Sequence, residues 1–224
     1  MRFLKKSAKV EKIVYNYIDE IADDLELNVP YYPEVYWTGR NLAFDALGLP
    51  INFKKEYEIM KNNRRSYFIT SPKIIFICRD DLVDHVEEAA HFLHGVHSKF
   101  TYKKKSVKDC IALRILDEML AYFSSKLIIP DRYNSYGRYK EYLRMENIER
   151  MDFYRDIRNC LNDYFDILDF NIYQQGYGLG EALYYKFCTG KISLRTVKNL
   201  FLQNFDGYNA ASNAFIELKS RLCN

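Results

Sequence analysis

The segment KIIFICRDDLVDHVEEAAHFLH, residues 73–94, decides the fold of this 224-residue chain. Its apolar run IIFIC indicates a buried strand, and Asp80 or Asp81 then caps a helix that continues to about Ser98. All four histidines of the chain lie on this helix, at positions 85, 91, 94 and 97. The segment therefore predicts a strand that leads directly into a helix rich in side chains that bind metals.

The polar residues of this helix recur at intervals of three and four. Because each residue turns an α-helix by about 100°, residues at this spacing share a face. The predicted polar side, with His97 at its margin and His85 pointing away, carries Asp84, Glu87, Glu88, His91 and His94. The opposite side is predicted to face the core and carries Leu82, Val83, Val86, Ala89, Ala90 and Leu93.

Three residues of the polar side align with the zinc-peptidase motif H-E-x-x-H. In that motif two histidines one turn apart bind zinc, and the glutamate deprotonates the metal-bound water. Glu87, Glu88 and His91 occupy those positions, so a carboxylate replaces the first imidazole. A carboxylate can still bind zinc, but the more negative site shifts selectivity toward manganese or iron.

A second long helical pattern runs from about Ser106 to Ile129 and is stopped by Pro130. Glu118, followed three residues later by Ala121, faces back if the two helices form an antiparallel hairpin. The order KIIFIC, EEAAHFLH, DEMLAYF resembles the gluzincin group of zinc metallopeptidases, most closely the small archaeal minigluzincins. The resemblance covers roughly residues 30 to 130.

The resemblance implies a set of roles for these residues. Glu118 is the third metal ligand, Glu88 is the catalytic base, and Glu87 is a substitute ligand beside His91. It implies zinc as the metal and a peptide or protein as the substrate, which pairs with an edge strand from SYFIT or KIIFIC. It implies an α+β fold, with a small zincin-like sheet, an active-site helix and a backing helix, followed by an all-helical C-terminal region.

Other readings of the same helix stay open. In the metzincin pattern a third histidine follows the second by six residues, and His97 has that spacing from His91. His94 stands where the matching glycine belongs, and Gly95 follows it, so the metzincin pattern is incomplete. Glu118 is therefore preferred as the third ligand, with His94 and His97 as alternates. Glu88 and His91 also match the E-x-x-H of di-iron bundles, but no histidine lies outside residues 85–97 to complete such a site.

Two further readings involve no catalysis. Charge-rich helix faces are commonly solvated, and histidines on such a face hydrogen-bond to neighbouring carboxylates. Alternatively, the chain keeps a peptidase scaffold that has lost its metal and acts as a binding protein. The first reading predicts an exposed polar face, whereas the second makes no such prediction.

The rest of the chain predicts further helices and strands around this segment. An amphipathic helix covers residues 5–24, a short edge strand lies within 29–39, a short helix covers 40–48, and RSYFIT pairs with KIIFIC as a hairpin. Beyond Pro130 the pattern is helical, with turns predicted at YQQGYGLG, residues 173–180, and CTGKIS, residues 188–193. These patterns predict an α+β domain over 1–130 and a helical region over 131–224.

Composition limits the partners. The formal charge of +3 gives no broad field for nucleic acid or a membrane surface. Five cysteines without a C-x-x-C pair indicate reduced thiols in the cytoplasm. The N-terminus lacks the apolar run of a signal peptide, and no stretch reaches the roughly 20 apolar residues of a membrane span. The oligomeric state is left open.

Overall fold

The structure is a computed structural model, and it describes residues 7–37, 67–70, 73–78, 81–98, 107–130, 165–205 and 209–223. The chain divides into two compact units, Met1–His97 and Ser98–Asn224. This division falls earlier in the chain than the boundary predicted after residue 130. The reason is that the helix over residues 107–128 packs against the helices that follow it in the second unit.

The described part of the first unit combines two helices with a three-stranded sheet. Its described elements are α1 (Ala8–Asp24), β1 (Glu34–Trp37), β2 (Tyr67–Thr70), β3 (Lys73–Ile77) and α2 (Leu82–His97). The strand order is β1-β3-β2, with β1 parallel and β2 antiparallel to β3. The predicted strand within residues 29–39 and the predicted hairpin are confirmed.

Strand β3 is the central strand of this sheet, and its residues are buried from Ile74 to Cys78. A strand that pairs on both sides and is covered on both faces is expected to be apolar throughout, as IIFIC is. KIIFIC therefore does not provide the edge strand that the sequence allowed it to be. Among the described strands, β1 and β2 form the two edges.

Helix α1 has the amphipathic character that its sequence predicts. Val10, Val14, Ile18 and Ile21 form its buried stripe, and the helix packs against α2 and β1. At its end, Leu27 N–H donates to the Ala22 carbonyl at 2.7 Å while Glu26 has a φ of +52°. These features form a Schellman-type C-cap, in which a glutamate occupies the left-handed position that favours glycine.

The described part of the second unit is helical, as predicted for the C-terminal region. Its elements are α3 (Val107–Ile128), α4 (Phe165–Cys188), α5 (Leu194–Leu202) and α6 (Ala210–Cys223). Helix α3 packs against α4 and α6, and α4 also packs against α6. Together with the sheet of the first unit, these helices confirm the α+β class.

The turn predicted at YQQGYGLG is wrong, because these residues lie inside α4. Gly176 and Gly180 are four residues apart and therefore share one face of this helix. A Cβ atom at Gly180 would lie 2.7 Å from the Met119 carbonyl oxygen of α3. Both glycines are needed so that the two helix backbones can approach closely.

The second predicted turn, CTGKIS, is confirmed. Gly190 has a φ of +70°, and the Lys191 and Ile192 N–H groups both donate to the Lys186 carbonyl. Ser193 then caps α5 by accepting a hydrogen bond from the Thr196 N–H at 3.3 Å.

The helix predicted over residues 40–48 and the helical pattern over 131–164 lie outside the described residues. No described helix is long and apolar enough to cross a membrane.

Candidate metal site

Helix α2 holds the candidate site residues of the first unit. The Asp81 carboxylate accepts a hydrogen bond from the Val83 N–H at 3.0 Å and so caps the helix start, as predicted for Asp80 or Asp81. The helix is continuous from Leu82 to His97 and follows the central strand β3 in the chain. Glu87 and His91 are therefore one helical turn apart on the same side.

The polar side of α2 is not a solvated surface. Asp84 is 6% exposed, Glu88 is 7% exposed and His94 is 1% exposed. Glu87, His91 and His97 are partly exposed. Burial of carboxylates and imidazoles is costly unless they are paired or bind a metal. The alternative of a solvated polar face is therefore wrong for three of the five residues of that side.

The apolar side of α2 is buried, with one exception. Val83, Val86, Ala89, Ala90 and Leu93 belong to the core as predicted, whereas Leu82 is 37% exposed. Leu82 is the first residue of the helix. Helical periodicity predicts which side of the helix a residue lies on, but not how far the side chains of the first turn are buried. His85, which was predicted to point away from the polar side, is 2% exposed.

Glu118 lies on α3 in the second unit and is 8% exposed. Its backbone packs against α4, because a Cβ atom at Gly176 would overlap the Glu118 Cβ and lie 3.2 Å from the Met119 amide nitrogen. This neighbourhood gives the Glu118 position a packing role within the second unit. Its role as a third metal ligand remains a proposal.

Helix α2 carries two of the three ligands that the predicted metal site requires. Glu87 and His91 supply an oxygen and an imidazole nitrogen one turn apart, and a catalytic zinc site has three protein ligands. Among the described residues, no three His, Cys, Asp or Glu side chains lie grouped so that they could hold a metal ion. The alternate ligands His94 and His97 lie on the same helix, His97 as its last residue.

A buried polar cluster in the second unit was not predicted from the sequence. The Tyr122 hydroxyl donates to Glu181 Oε2 at 2.9 Å, and Lys126 Nζ lies 3.6 Å from Glu181 Oε1. Lys126 Nζ also lies 5.6 Å from the ring centre of Tyr184. Tyr122 and Lys126 are four residues apart on α3 and therefore share one side of that helix, and this spacing is the sequence signal for the cluster.

Asp109 is a second buried acid that sequence reasoning missed. It is fully buried and joins the start of α3 to the start of α6. Its carboxylate accepts hydrogen bonds from the Asn209 N–H at 2.8 Å, the Ser212 N–H at 3.0 Å and the Ser212 hydroxyl at 3.2 Å. A negative charge at a helix N-terminus is favourable, so Asp109 has a structural role.

Cys78, next to the histidine helix in sequence, is 1% exposed and belongs to the core, as predicted.

Comparisons with protein-family models, with curated proteins and with solved structures find no match to this chain.

Proposed function

We propose that this protein is a metallopeptidase-like protein on a gluzincin-like scaffold. Glu87 and His91 of α2 and Glu118 of α3 are its proposed metal ligands, and Glu88 is its proposed catalytic base. The observation that carries the proposal is the strand-helix unit β3–α2, in which Glu87 and His91 lie one turn apart and Glu88 between them is buried.

The proposed chemistry is hydrolysis of a peptide bond. A zinc ion, or manganese or iron in view of the carboxylate at position 87, would supply a polarised water when bound. Glu88 would take up the proton of that water. Glu88 is buried, with 7% of the residue exposed, which suits a group that exchanges its proton with a bound molecule.

The proposed substrate is an extended peptide or protein segment. Strand β2 is one edge of the described sheet and is antiparallel to β3, so its outer backbone groups are the proposed pairing surface. We propose that the protein binds neither nucleic acid nor a membrane. The proposal includes a cytoplasmic location, in keeping with the reduced state of Cys78, Cys110 and Cys188.

A second candidate is a non-catalytic protein that keeps the peptidase scaffold as a binding module. The packing of the Glu118 Cβ and backbone against Gly176 is compatible with it, because that contact gives the position a packing role that needs no metal. The carboxylate of Glu87 in place of the first imidazole also favours it, since it weakens the Lewis acidity of a bound ion.

Metal analysis separates these candidates. The protein is purified without a histidine tag, incubated with zinc, manganese or iron, passed through a desalting column and analysed for bound metal. One equivalent per chain is expected, with loss of the metal in Glu87→Ala, His91→Ala and Glu118→Ala. Glu217→Ala is the matched control, because Glu217 is an exposed glutamate of α6. No retained metal would overturn the metal site.

Two further results locate the ligands and the base. Full metal content in Glu118→Ala combined with loss in His97→Ala would replace Glu118 by His97. Glu88→Gln is expected to keep the metal and to lose hydrolysis of a fluorogenic peptide library. A metal-loaded wild-type protein that cleaves no peptide of the library would support the binding module instead of the peptidase.

A further inference from the structure

Two neighbouring tyrosines of the first unit have ring surfaces that solvent reaches. Tyr31 is 42% exposed and Tyr32 is 44% exposed. The Tyr31 ring packs edge-on against Phe92 of α2, with ring centres 5.8 Å apart. The Tyr32 ring packs on Tyr15 of α1 at 4.6 Å, and its hydroxyl donates to Asp19. Both rings are therefore held in place although they are exposed.

The chain around these rings carries only negative charge. No lysine or arginine occurs between Lys12 and Arg40. Six carboxylates occur in this interval, and all are exposed: Asp19, Glu20, Asp23, Asp24, Glu26 and Glu34. Asp23 and Asp24 lie in the last turn of α1, which contains no basic residue. Negative charge at the C-terminal end of a helix opposes the helix dipole and raises the free energy of the folded state.

Two hydrogen bonds join tyrosines to carboxylates of α1, from Tyr15 to Glu11 and from Tyr32 to Asp19. The Tyr15 hydroxyl lies 2.8 Å from both Glu11 Oε1 and the Pro33 carbonyl oxygen. Tyr32 has a raised pKa, caused first by its hydrogen bond to Asp19, then by burial and by the charges of Asp19 and Asp23. Asp19 and Asp23 are four residues apart on α1 and therefore share one side of that helix.

We propose that Tyr32, Asp19 and Asp23, with their chain neighbours Tyr31 and Asp24, form a tyrosine–carboxylate surface that docks a lysine- or arginine-rich segment of a partner protein. Charge complementarity identifies the occupant. An ammonium or guanidinium group over an aromatic ring is attracted by the ring quadrupole. The same group near Asp23 and Asp24 relieves their repulsion with the helix dipole. An acidic or nucleic-acid partner is repelled by the same charges.

The probe is a fluorescein-labelled oligolysine peptide of about eight residues, and the readout is fluorescence anisotropy at low ionic strength. Saturable binding is expected, and it weakens as salt rises because the carboxylates are exposed. The double variant Tyr31→Leu/Tyr32→Leu keeps the net charge and the apolar contact but removes both aromatic rings. Its affinity is expected to fall about fivefold to thirtyfold.

Two other variants keep the test independent of that double variant. Asp23→Asn/Asp24→Asn is expected to weaken binding without any change at the rings. Tyr185→Leu is the matched control, since Tyr185 is 39% exposed on α4 of the second unit, and its affinity is expected to equal that of the wild type. An oligoglutamate peptide of the same length should not bind.

Three results would overturn the proposal. One is the absence of saturable oligolysine binding at low salt. Another is an unchanged affinity in both the tyrosine and the aspartate double variants. The third is an equal loss in Tyr185→Leu and Tyr31→Leu/Tyr32→Leu, which would indicate non-specific attraction. The proposed metal is not involved, so wild-type binding that persists after chelation supports the surface whatever the outcome at the metal site.

Discussion

Gly176 of α4 lies directly against Glu118 of α3, so that a Cβ atom at position 176 would overlap the Glu118 Cβ and lie 3.2 Å from its carbonyl carbon. The atoms in contact belong to the backbone or are fixed to it, so a rotamer change cannot remove the overlap. The glycine therefore sets how closely the two longest described helices approach.

Gly176→Ala is expected to destabilise the second unit. Alanine favours a helix interior over glycine by about 1 kcal/mol. Overpacking against an immovable backbone costs about 1–3 kcal/mol, so the net change is a loss of stability. Urea unfolding followed by circular dichroism measures it. A variant more stable than the wild type would show that α3 and α4 can move apart at little cost.

Gly190→Ala is the control for that prediction. A Cβ atom at position 190 meets nothing within 4 Å, but the φ of +70° is strained for any residue with a side chain. A cost of about 1 kcal/mol is expected. Gly190→Asn should restore part of it, because asparagine tolerates this conformation. An equal cost for the asparagine and alanine variants would contradict the conformational explanation.

The glycines of α4 show why sequence patterns predicted some elements and missed others. The periodic apolar positions of α1 and α3 and the apolar run of β3 predicted those elements, because the pattern and the burial have the same cause. YQQGYGLG contains three glycines, which are poor helix formers, and was therefore assigned to a turn. The tertiary contact of α3 with Gly176 and Gly180 outweighs that propensity.

The candidate site was predictable to a similar extent. Helical spacing placed Glu87 and His91 on one side of α2, and the structure has that continuous helix. Spacing cannot show what covers a face, so the burial of Asp84 and His94 was not predicted. It also cannot reveal a contact such as that of Asp109 with Ser212, because those residues are far apart in the chain.

Asp109→Ala is expected to be among the most destabilising single changes in the second unit. It leaves two backbone N–H groups at the start of α6 without their acceptor, while the Ser212 hydroxyl keeps the Asn209 carbonyl oxygen at 3.1 Å as an acceptor. Loss of a buried charged acceptor costs roughly 2–4 kcal/mol. Asp109→Asn keeps one acceptor oxygen and should cost less. Thermal unfolding of both variants measures this order.

Ser193→Ala is the matched control, because Ser193 is an exposed cap of α5 that accepts a single backbone hydrogen bond at 3.3 Å. Its expected cost is about 1 kcal/mol or less. If Ser193→Ala proved as costly as Asp109→Ala, burial would not be the reason for the importance of Asp109.

Lys126 and Glu181 form an ion pair whose side chains are 6% and 10% exposed. Lys126→Met removes the cation and leaves the buried Glu181 carboxylate with Tyr122 as a neutral donor. A cost of roughly 3 kcal/mol is expected, since removal of one partner of a buried ion pair is strongly unfavourable.

The double variant Lys126→Met/Glu181→Gln tests that explanation. Glutamine keeps an acceptor for the Tyr122 hydroxyl and removes the charge, so the double variant should be more stable than Lys126→Met alone. Denaturant unfolding of the wild type, both single variants and the double variant completes a thermodynamic cycle. Additive costs would show that the 3.6 Å contact contributes little coupling energy.

Tyr36 provides a prediction at alkaline pH. Its hydroxyl donates to Glu34 Oε2 at 2.6 Å, and this hydrogen bond, followed by burial and the Glu34 charge, raises the Tyr36 pKa from 10.0 to about 12. The folded state therefore holds the tyrosine proton more tightly than the unfolded state. The resulting stability is fully present below pH 10 and is lost as the pH rises through about 12.

Urea midpoints measured from about pH 8 to pH 12 for the wild type and Tyr36→Phe test this sign. The wild type is expected to be the more stable protein below pH 10, with the difference between the two shrinking as the Tyr36 proton dissociates. Tyr185→Phe controls for the loss of a partly exposed hydroxyl in the second unit. A difference that grows with pH would mean that the unfolded state holds this proton more tightly, and would refute the role of Glu34 as its acceptor.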